Sequence, residues 1–210
     1  MTTMIADAEF AALVRGQTAL SGRYVCLDRL SYTYETELFE ASRPAEIWTY
    51  LRSAQPQTLA DFQRGFIQPA IDAAAHGTEV PFAVIDLASG RAIGCTSYVR
   101  ISAEHRHLEI GGTWYAPAFW RTAVNTESKY LLLSNAFEHL GCIRVQLRTD
   151  ERNLRSRAAI ERIGGKLEGI IRQDRIVTKD GGRIRSSAQY SLTADEWPAN
   201  KARLEAMLAR

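Results

Sequence analysis

Two short stretches carry residue types that do chemistry together. Residues 121–126 read Arg-Thr-Ala-Val-Asn-Thr between a strand-like and a helix-like segment. A turn of that kind points backbone N–H groups and a helix N-terminus at a phosphate, and Arg121 adds a charge-assisted donor. Further on, Asn153-x-x-Ser156 opens a second helix after a second strand. A strand and helix placed there form the other wall of a cleft. The pair suggests a protein that holds a phosphate-bearing carrier and passes its cargo on. On the strand before the turn, alternation puts His107, Glu109 and Gly111 on one face and Leu108 and Ile110 on the other.

These residues need a scaffold, and the composition bounds it. At 210 residues, with 46% hydrophobic and 24% charged residues, the chain suits one soluble globular domain spanning 1–210. Within it, 1–20 form an N-terminal extension and 196–210 a terminal helix. A net charge of +2, with no long Lys/Arg block, argues against a nucleic-acid partner. Cys26, Cys95 and Cys142 lack any CxxC or Cys/His ligand spacing, so neither a disulfide framework nor a metal site is expected. Buried thiols in a reducing cytoplasm are the simplest reading, with Cys142 inert. No signal-peptide pattern opens the sequence, and no apolar run approaches ~20 residues, so no membrane partner is expected.

The elements follow from pattern. A loose helix is compatible with 1–20, a strand with 22–30, and short helices with 34–41 and 44–51. Thr58 is a plausible N-cap for a longer helix to about residue 76, stopped by Gly77. Strands at 81–87 and 91–101 flank Ala88-Ser89-Gly90, and a third strand covers 105–115. A crossover helix at 126–140 aims Leu132, Ala136, Phe137 and Leu140 at a sheet. Two last strands, 166–177 and 185–192, meet at the Asp180-Gly181-Gly182 turn, and a helix over 196–208 closes the chain. A meander followed by βαβα is an α+β pattern.

Glu109-Ile110-Gly111, Pro117-Ala118-Phe119-Trp120, Thr126-Glu127, Ala136-Phe137-Glu138, residues 140–145 (Leu-Gly-Cys-Ile-Arg-Val), Asn153-x-x-Ser156, Ile163-Gly164 and Glu168-Gly169 together resemble the GNAT acyltransferases, and within them the RimJ/RimL branch. The resemblance is strongest over residues 109–172. It implies a mixed, mostly antiparallel sheet with a V-shaped splay and helices on both faces. It implies acetyl-CoA as co-substrate, transfer to a primary amine (a peptide N-terminus or a small molecule) by direct attack in a ternary complex, and compatibility with a homodimer. The family's phosphate turn carries glycines where this chain has Ala123 and Asn125, with Trp120 at its first position. Ala123 adds only a methyl group, and Asn125 is expected to adopt the left-handed backbone.

Carried onto these residues, the resemblance makes Glu109 the candidate base, directly or through water, with His107 as second candidate. It makes Ser156 the group that protonates or hydrogen-bonds the leaving sulfur, and gives Asn153 a hold on pantetheine. By local sequence alone, Asn153 is an N-cap and Ser156 a first-turn residue. Strand residues 112–115, including Thr113, Trp114 and Tyr115, are expected to pair with the pantetheine amides. Arg121, Thr122, Ala123, Val124, Asn125 and Thr126 are expected to hold the diphosphate. Tyr115 is a further sulfur donor or simply packing. One at most of Arg152, Arg155, Arg157 and Arg162 reaches the 3′-phosphate. Tyr32, Tyr34, Phe39, Trp48, Tyr50, Trp114 and Phe119 are expected near the acceptor. The alternatives are a non-catalytic acyl-CoA-binding or regulatory protein on the same fold, and a module with a vestigial cleft.

Overall fold

A computed structural model describes residues 6–179 and 181–210. One sheet carries β1 (Leu20–Ser21), β2 (Val25–Arg29), β3 (Val80–Asp86), β4 (Arg91–Ser102), β5 (His107–Tyr115), β6 (Arg144–Asp150), β7 (Lys166–Val177) and β8 (Arg183–Thr193). The spatial order is β1-β2-β3-β4-β5-β6-β8-β7. Neighbours are antiparallel except β5 and β6, which run parallel. A parallel pair needs a crossover, supplied here by α5 (Ala123–Ser134) and a π-helical turn at Asn135–His139.

Helices cover both faces. On one, α1 (Asp7–Arg15), α5, α6 (Leu154–Arg162) and α7 (Trp197–Leu208) bury Phe10, Leu132, Leu133, Ile160 and Leu204 against Leu108, Ile110, Val145 and Leu147 of the sheet. On the other, α2 (Glu35–Ala41), α3 (Leu59–Phe62), a π turn at Gln63–Ile67 and α4 (Gln68–Ala75) bury Leu38, Phe39, Phe62 and Ile67 against Ala83, Cys95 and Trp114. The α+β, mostly antiparallel architecture read from the sequence is the one observed.

Local chemistry explains most boundaries. Thr58 closes a capping box with Asp61, each side chain bonding the other's backbone N–H. The expected helix over 44–51 shrinks to a single 3-10 turn, Ala45–Ile47. The crossover helix starts at Ala123 rather than 126, because the Thr122 side chain caps it by accepting from Val124 N at 3.3 Å. Leu132, Ala136 and Leu140 are buried as expected. Phe137 instead turns partly outward and stacks on Trp197 of α7, with centroids 5.5 Å apart. Asp180 of the expected last turn, like residues 1–5 of the extension, lies outside the described residues. Among those described, no helix is long and apolar enough to cross a membrane, and no three His, Cys, Asp or Glu residues gather as metal ligands.

One carboxylate ties α5 to the turn before β2. Glu127 is 4% exposed. It accepts N–H bonds from Arg23 at 2.7 Å, Tyr24 at 2.6 Å and Val25 at 2.7 Å. Gly22 leaves room for it, since a Cβ there would lie 2.4 Å from Glu127 Cδ. Truncating Glu127 to Ala orphans three amides, each costing about 1–3 kcal/mol when left dry. Val25 is buried while Arg23 and Tyr24 are partly open to water, so Glu127→Ala is expected to lose about 1–3 kcal/mol of stability, read as a fall in urea midpoint. A midpoint within error of wild type would show that the clasp carries no stability.

Candidate active site

The site is made by a parting of strands. β5 and β6 pair only from His107–Arg144 to Ile110–Leu147. Beyond that, β6 stays with β8 as far as Asp150, while β5 stays with β4 as far as Tyr115. The divergence coincides with an extra residue in β5, between the Ser97–Gly111 and Cys95–Trp114 pairs. Gly112 there has φ +62°, a conformation glycine adopts without strain. The parted edge is polar. Ala116 N donates to Ile93 O at 2.8 Å, which by antiparallel alternation turns the N–H and C=O of Tyr115 toward the opening. The Trp120 indole donates to that Tyr115 carbonyl at 2.9 Å. The strand stretch expected to meet pantetheine amides thus has an edge without a neighbouring strand.

At the mouth sits the N-terminus of α5. The first-turn N–H groups of Ala123 and Asn125 have no intrahelical acceptor, and the helix dipole favours an anion beside them. The left-handed residue is Arg121, at φ +63°, and not Asn125, which is already helical. The left-handed bend is therefore made two residues before Ala123 and four before Asn125, just ahead of the Thr122 cap. Arg121 and Thr122 are exposed, Ala123 and Asn125 half-buried, and Val124 and Thr126 buried. Two contacts span from this wall to α6. Arg162 Nη1 donates to Thr126 Oγ1 at 2.9 Å, and the Arg155 guanidinium lies 3.6 Å from the Trp120 ring centroid. Arg157 donates to the Tyr190 hydroxyl at 3.0 Å. Of the arginine cluster, three members are thus engaged within the protein, and Arg152 is exposed beside Asp150.

On α6, Asn153 Oδ1 accepts from Ser156 N at 3.1 Å, so Asn153 caps the helix as its local sequence indicates. The Ser156 side chain is half-buried in the first turn. Tyr115 faces α5, with its hydroxyl buried beside Ser128. Burial raises its pKa strongly, so the hydroxyl stays protonated.

Glu109 projects from the opposite face of β5 and is 6% exposed. Arg100 Nε lies 3.4 Å and Arg148 Nε 3.7 Å from its Oε2, which makes no hydrogen bond. Burial pushes its pKa up, against the opposing pull of Arg148, Arg100 and Arg175. His107 shares that face, and burial lowers its pKa, with His105 and Arg144 adding to the effect. Sequence reading missed Arg100, Arg148 and Asp174, because charged residues in half-buried strands read as solvent-facing. The available signal was alternation, which puts Gln146, Arg148 and Asp150 opposite the core residues Val145 and Leu147.

The aromatic wall divides. Trp48, Phe66 and Trp114 cluster, with Trp48 and Trp114 centroids 6.4 Å apart and Phe66 and Trp114 5.9 Å apart. Phe39 and Tyr34 join the same cluster. Phe119 packs into the cluster on the other face of the sheet. Tyr32 is exposed, and Tyr50 donates to Arg152 O at 3.2 Å, tying this segment to the loop before α6. Lys179 bonds the Trp48 carbonyl, and the two line a hollow of about 280 Å³ with Ala45, Thr49, Ala54 and Gln55.

Residues 25–166 match the family model described as Acetyltransferase (GNAT) domain. No curated protein matches the chain. Among solved structures, a GCN5-related N-acetyltransferase from Brucella melitensis is 34% identical, with TM-score 0.82, over 90% of this chain and 84% of its own. A structure from T. thermophilus assigned to the acetyltransferases is 33% identical, with TM-score 0.76, over 91% and 97%. Mycobacterium smegmatis RimJ, solved with CoA-disulfide, shares the fold at 18% identity and TM-score 0.73, over 90% and 91%. The chain belongs to the GNAT acetyltransferase family.

A residue outside the expected set sits under the β5 bulge. Lys129 of α5 is 5% exposed. It donates to Thr113 Oγ1 at 2.7 Å and to Thr96 Oγ1 at 3.4 Å. Burial lowers its pKa from 10.5 to about 7. Between those values the unfolded chain holds a proton that the folded chain lacks, so stability rises with pH across that window. Lys129→Met should stabilise the protein at neutral pH and flatten the rise, because Thr96 and Thr113 still bond each other at 2.8 Å. Urea midpoints across the window test this. A slope unchanged in the variant would assign the pH dependence to other groups.

Proposed function

We propose that this protein transfers an acetyl group from acetyl-CoA to a primary amine, as a RimJ/RimL-like N-acetyltransferase working through a ternary complex. The observation that carries the reading is the parting of β5 from β6 beside the N-terminus of α5. An open strand edge suits the two amides of pantetheine, and the free N–H groups of Ala123 and Asn125 suit the diphosphate. Arg121 and the Thr122–Thr126 turn complete that hold, with Thr113, Trp114 and Tyr115 on the strand side and Asn153 and Ser156 across the cleft.

In the reaction, the neutral amine nitrogen attacks the thioester carbonyl carbon. The C–N bond forms as the C–S bond breaks, and the sulfur leaves as thiolate. Glu109 takes the proton that the amine must lose, directly or through a water. In this reading the Ser156 hydroxyl hydrogen-bonds or protonates the sulfur. Burial of Glu109 brings its pKa nearer the working range of a base. Activity then falls as pH drops through that raised pKa, because the protonated carboxyl accepts nothing.

A second reading, a non-catalytic acyl-CoA binder, draws on the glycine-free turn at 121–126. Two measurements separate the possibilities. Millimolar acetyl-CoA should raise the melting temperature, with ATP as the control for generic phosphate binding. Ala123→Asp should remove that shift without loss of stability, since Asp suits a first helical turn but repels diphosphate. A retained shift would displace the diphosphate from this turn. Free CoA thiol released with an amine panel would then show turnover, and its absence beside a retained melt shift would favour the binder. Glu109→Gln should lower kcat/KM by ~10²-fold or more and abolish the acidic limb of its pH profile. An acidic limb preserved in the variant would remove Glu109 as the base.

A further inference from the structure

The described chain holds four non-glycine residues at positive φ: Arg100, Arg106, Arg121 and Gln173. Arg106 closes the β4–β5 turn and Arg121 enters α5. The other two sit inside strands, at bulges on either side of Glu109. In β4, the pairing slips by one residue between Val99 and Ser102, and Arg100 takes the extra place at φ +50°. In β7, it slips between Ile171 and Arg175, and Gln173 takes φ +51°. A bulge re-aims a side chain, and non-glycine residues held left-handed mark places where the surroundings over-determine the backbone.

Both bulges deliver charge to the same place. The β4 bulge brings Arg100 beside Glu109. The β7 bulge turns Asp174 inward, where its Oδ1 accepts from Arg148 Nη1 at 3.0 Å and its Oδ2 from Ser187 Oγ at 2.7 Å. Arg148 is also held by Gln189 Oε1 at 2.9 Å. It is therefore a fixed guanidinium, 10% exposed, 3.7 Å from Glu109. Arg100 differs from it. Its side chain is 55% exposed, and among the described residues it makes no side-chain hydrogen bond. Around Glu109 the guanidinium groups of Arg100, Arg148 and Arg175 face Asp174 and Glu109 itself. Positive charge exceeds negative at the point where an amine must arrive.

We propose that Arg100, backed by Arg148, is a carboxylate-binding subsite of the acceptor pocket, so that the acceptor is a small α-amino acid. This rests on the acetyl-transfer reading given above. A zwitterion complements the cluster, with its amine on Glu109 and its carboxylate on the free donors of Arg100. A polyamine brings a second cation against three guanidiniums, and a peptide N-terminus offers a neutral carbonyl where Arg100 offers charge-assisted bonds. The guanidinium excess also opposes the ammonium form and so favours the neutral amine that attacks.

The test compares free amino acids with their amides and with spermidine, by CoA thiol release and by calorimetric binding of acid and amide. Hydrogen bonds to a charged group are worth enough for the acid to exceed its amide ~10-fold or more in kcat/KM and in affinity. Arg100→Ala should collapse that ratio through a raised KM for the acid, and Arg100→Lys should restore part of it. Amides or spermidine used as well as the acids, acid and amide binding equally, or a preference that survives Arg100→Ala would each overturn the subsite. The acetyl-CoA melt shift reports separately on the carrier reading. A retained shift with no preference for the acid sinks only the subsite, and a lost shift with tighter acid binding sinks only the transfer.

Discussion

The structure turns on the refusal of two parallel strands to stay paired. β5 and β6 share four residue pairs and then separate, each kept by its antiparallel neighbour. Antiparallel pairing is somewhat more stable per residue than parallel pairing. The β5–β6 contact is therefore where a sheet yields at least cost once the bulge at Gly112 turns β5 aside. The opening needs walls that hold still. Glu127 clasps the turn before β2, and Arg162 and Arg155 reach from α6 to Thr126 and Trp120. Side chains rather than backbone therefore span the cleft.

The two faces of β5 have opposite characters. One is apolar, with Leu108 and Ile110 in the core beneath α5. The other carries Glu109 in a buried ionic network with Arg148, Asp174 and Ser187, continued by Asp150 with Arg183 and Arg185. Buried ion pairs are poor sources of stability, since desolvation consumes most of their attraction. Strained bulges at Arg100 and Gln173 add to the cost. The hydrophobic clusters on both faces of the sheet supply the stability that such an arrangement draws on.

Lys129 shows the same pattern on the other side of the strand. A buried amine held only by hydroxyls is costly when charged, yet it ties α5 to Thr113 next to the bulge that opens the cleft. Both sides of β5 thus place ionisable groups where the strand departs from regularity.

Much of this architecture was legible in residue order. The Leu108/Ile110 against His107/Glu109 alternation assigned the two faces of β5, and the Thr58–Asp61 box and the hairpin at residues 88–90 marked their elements. Such signals are local, because periodicity, capping and turn chemistry act over a few residues. Even the start of α5 was legible, since Thr122 is a good N-cap, although the family's glycine positions fall on Ala123 and Asn125. The partners of Glu109 were not legible. Arg100, Arg148 and Asp174 lie on three strands, brought together by two bulges whose positions depend on how neighbouring strands pair. Fold class, the faces of the elements and the stretch that builds the cleft can all be read from residue order, because they follow from local patterns. Which charges meet at Glu109, and that Lys129 is buried without a carboxylate, only tertiary packing decided, because register and burial belong to the assembled sheet.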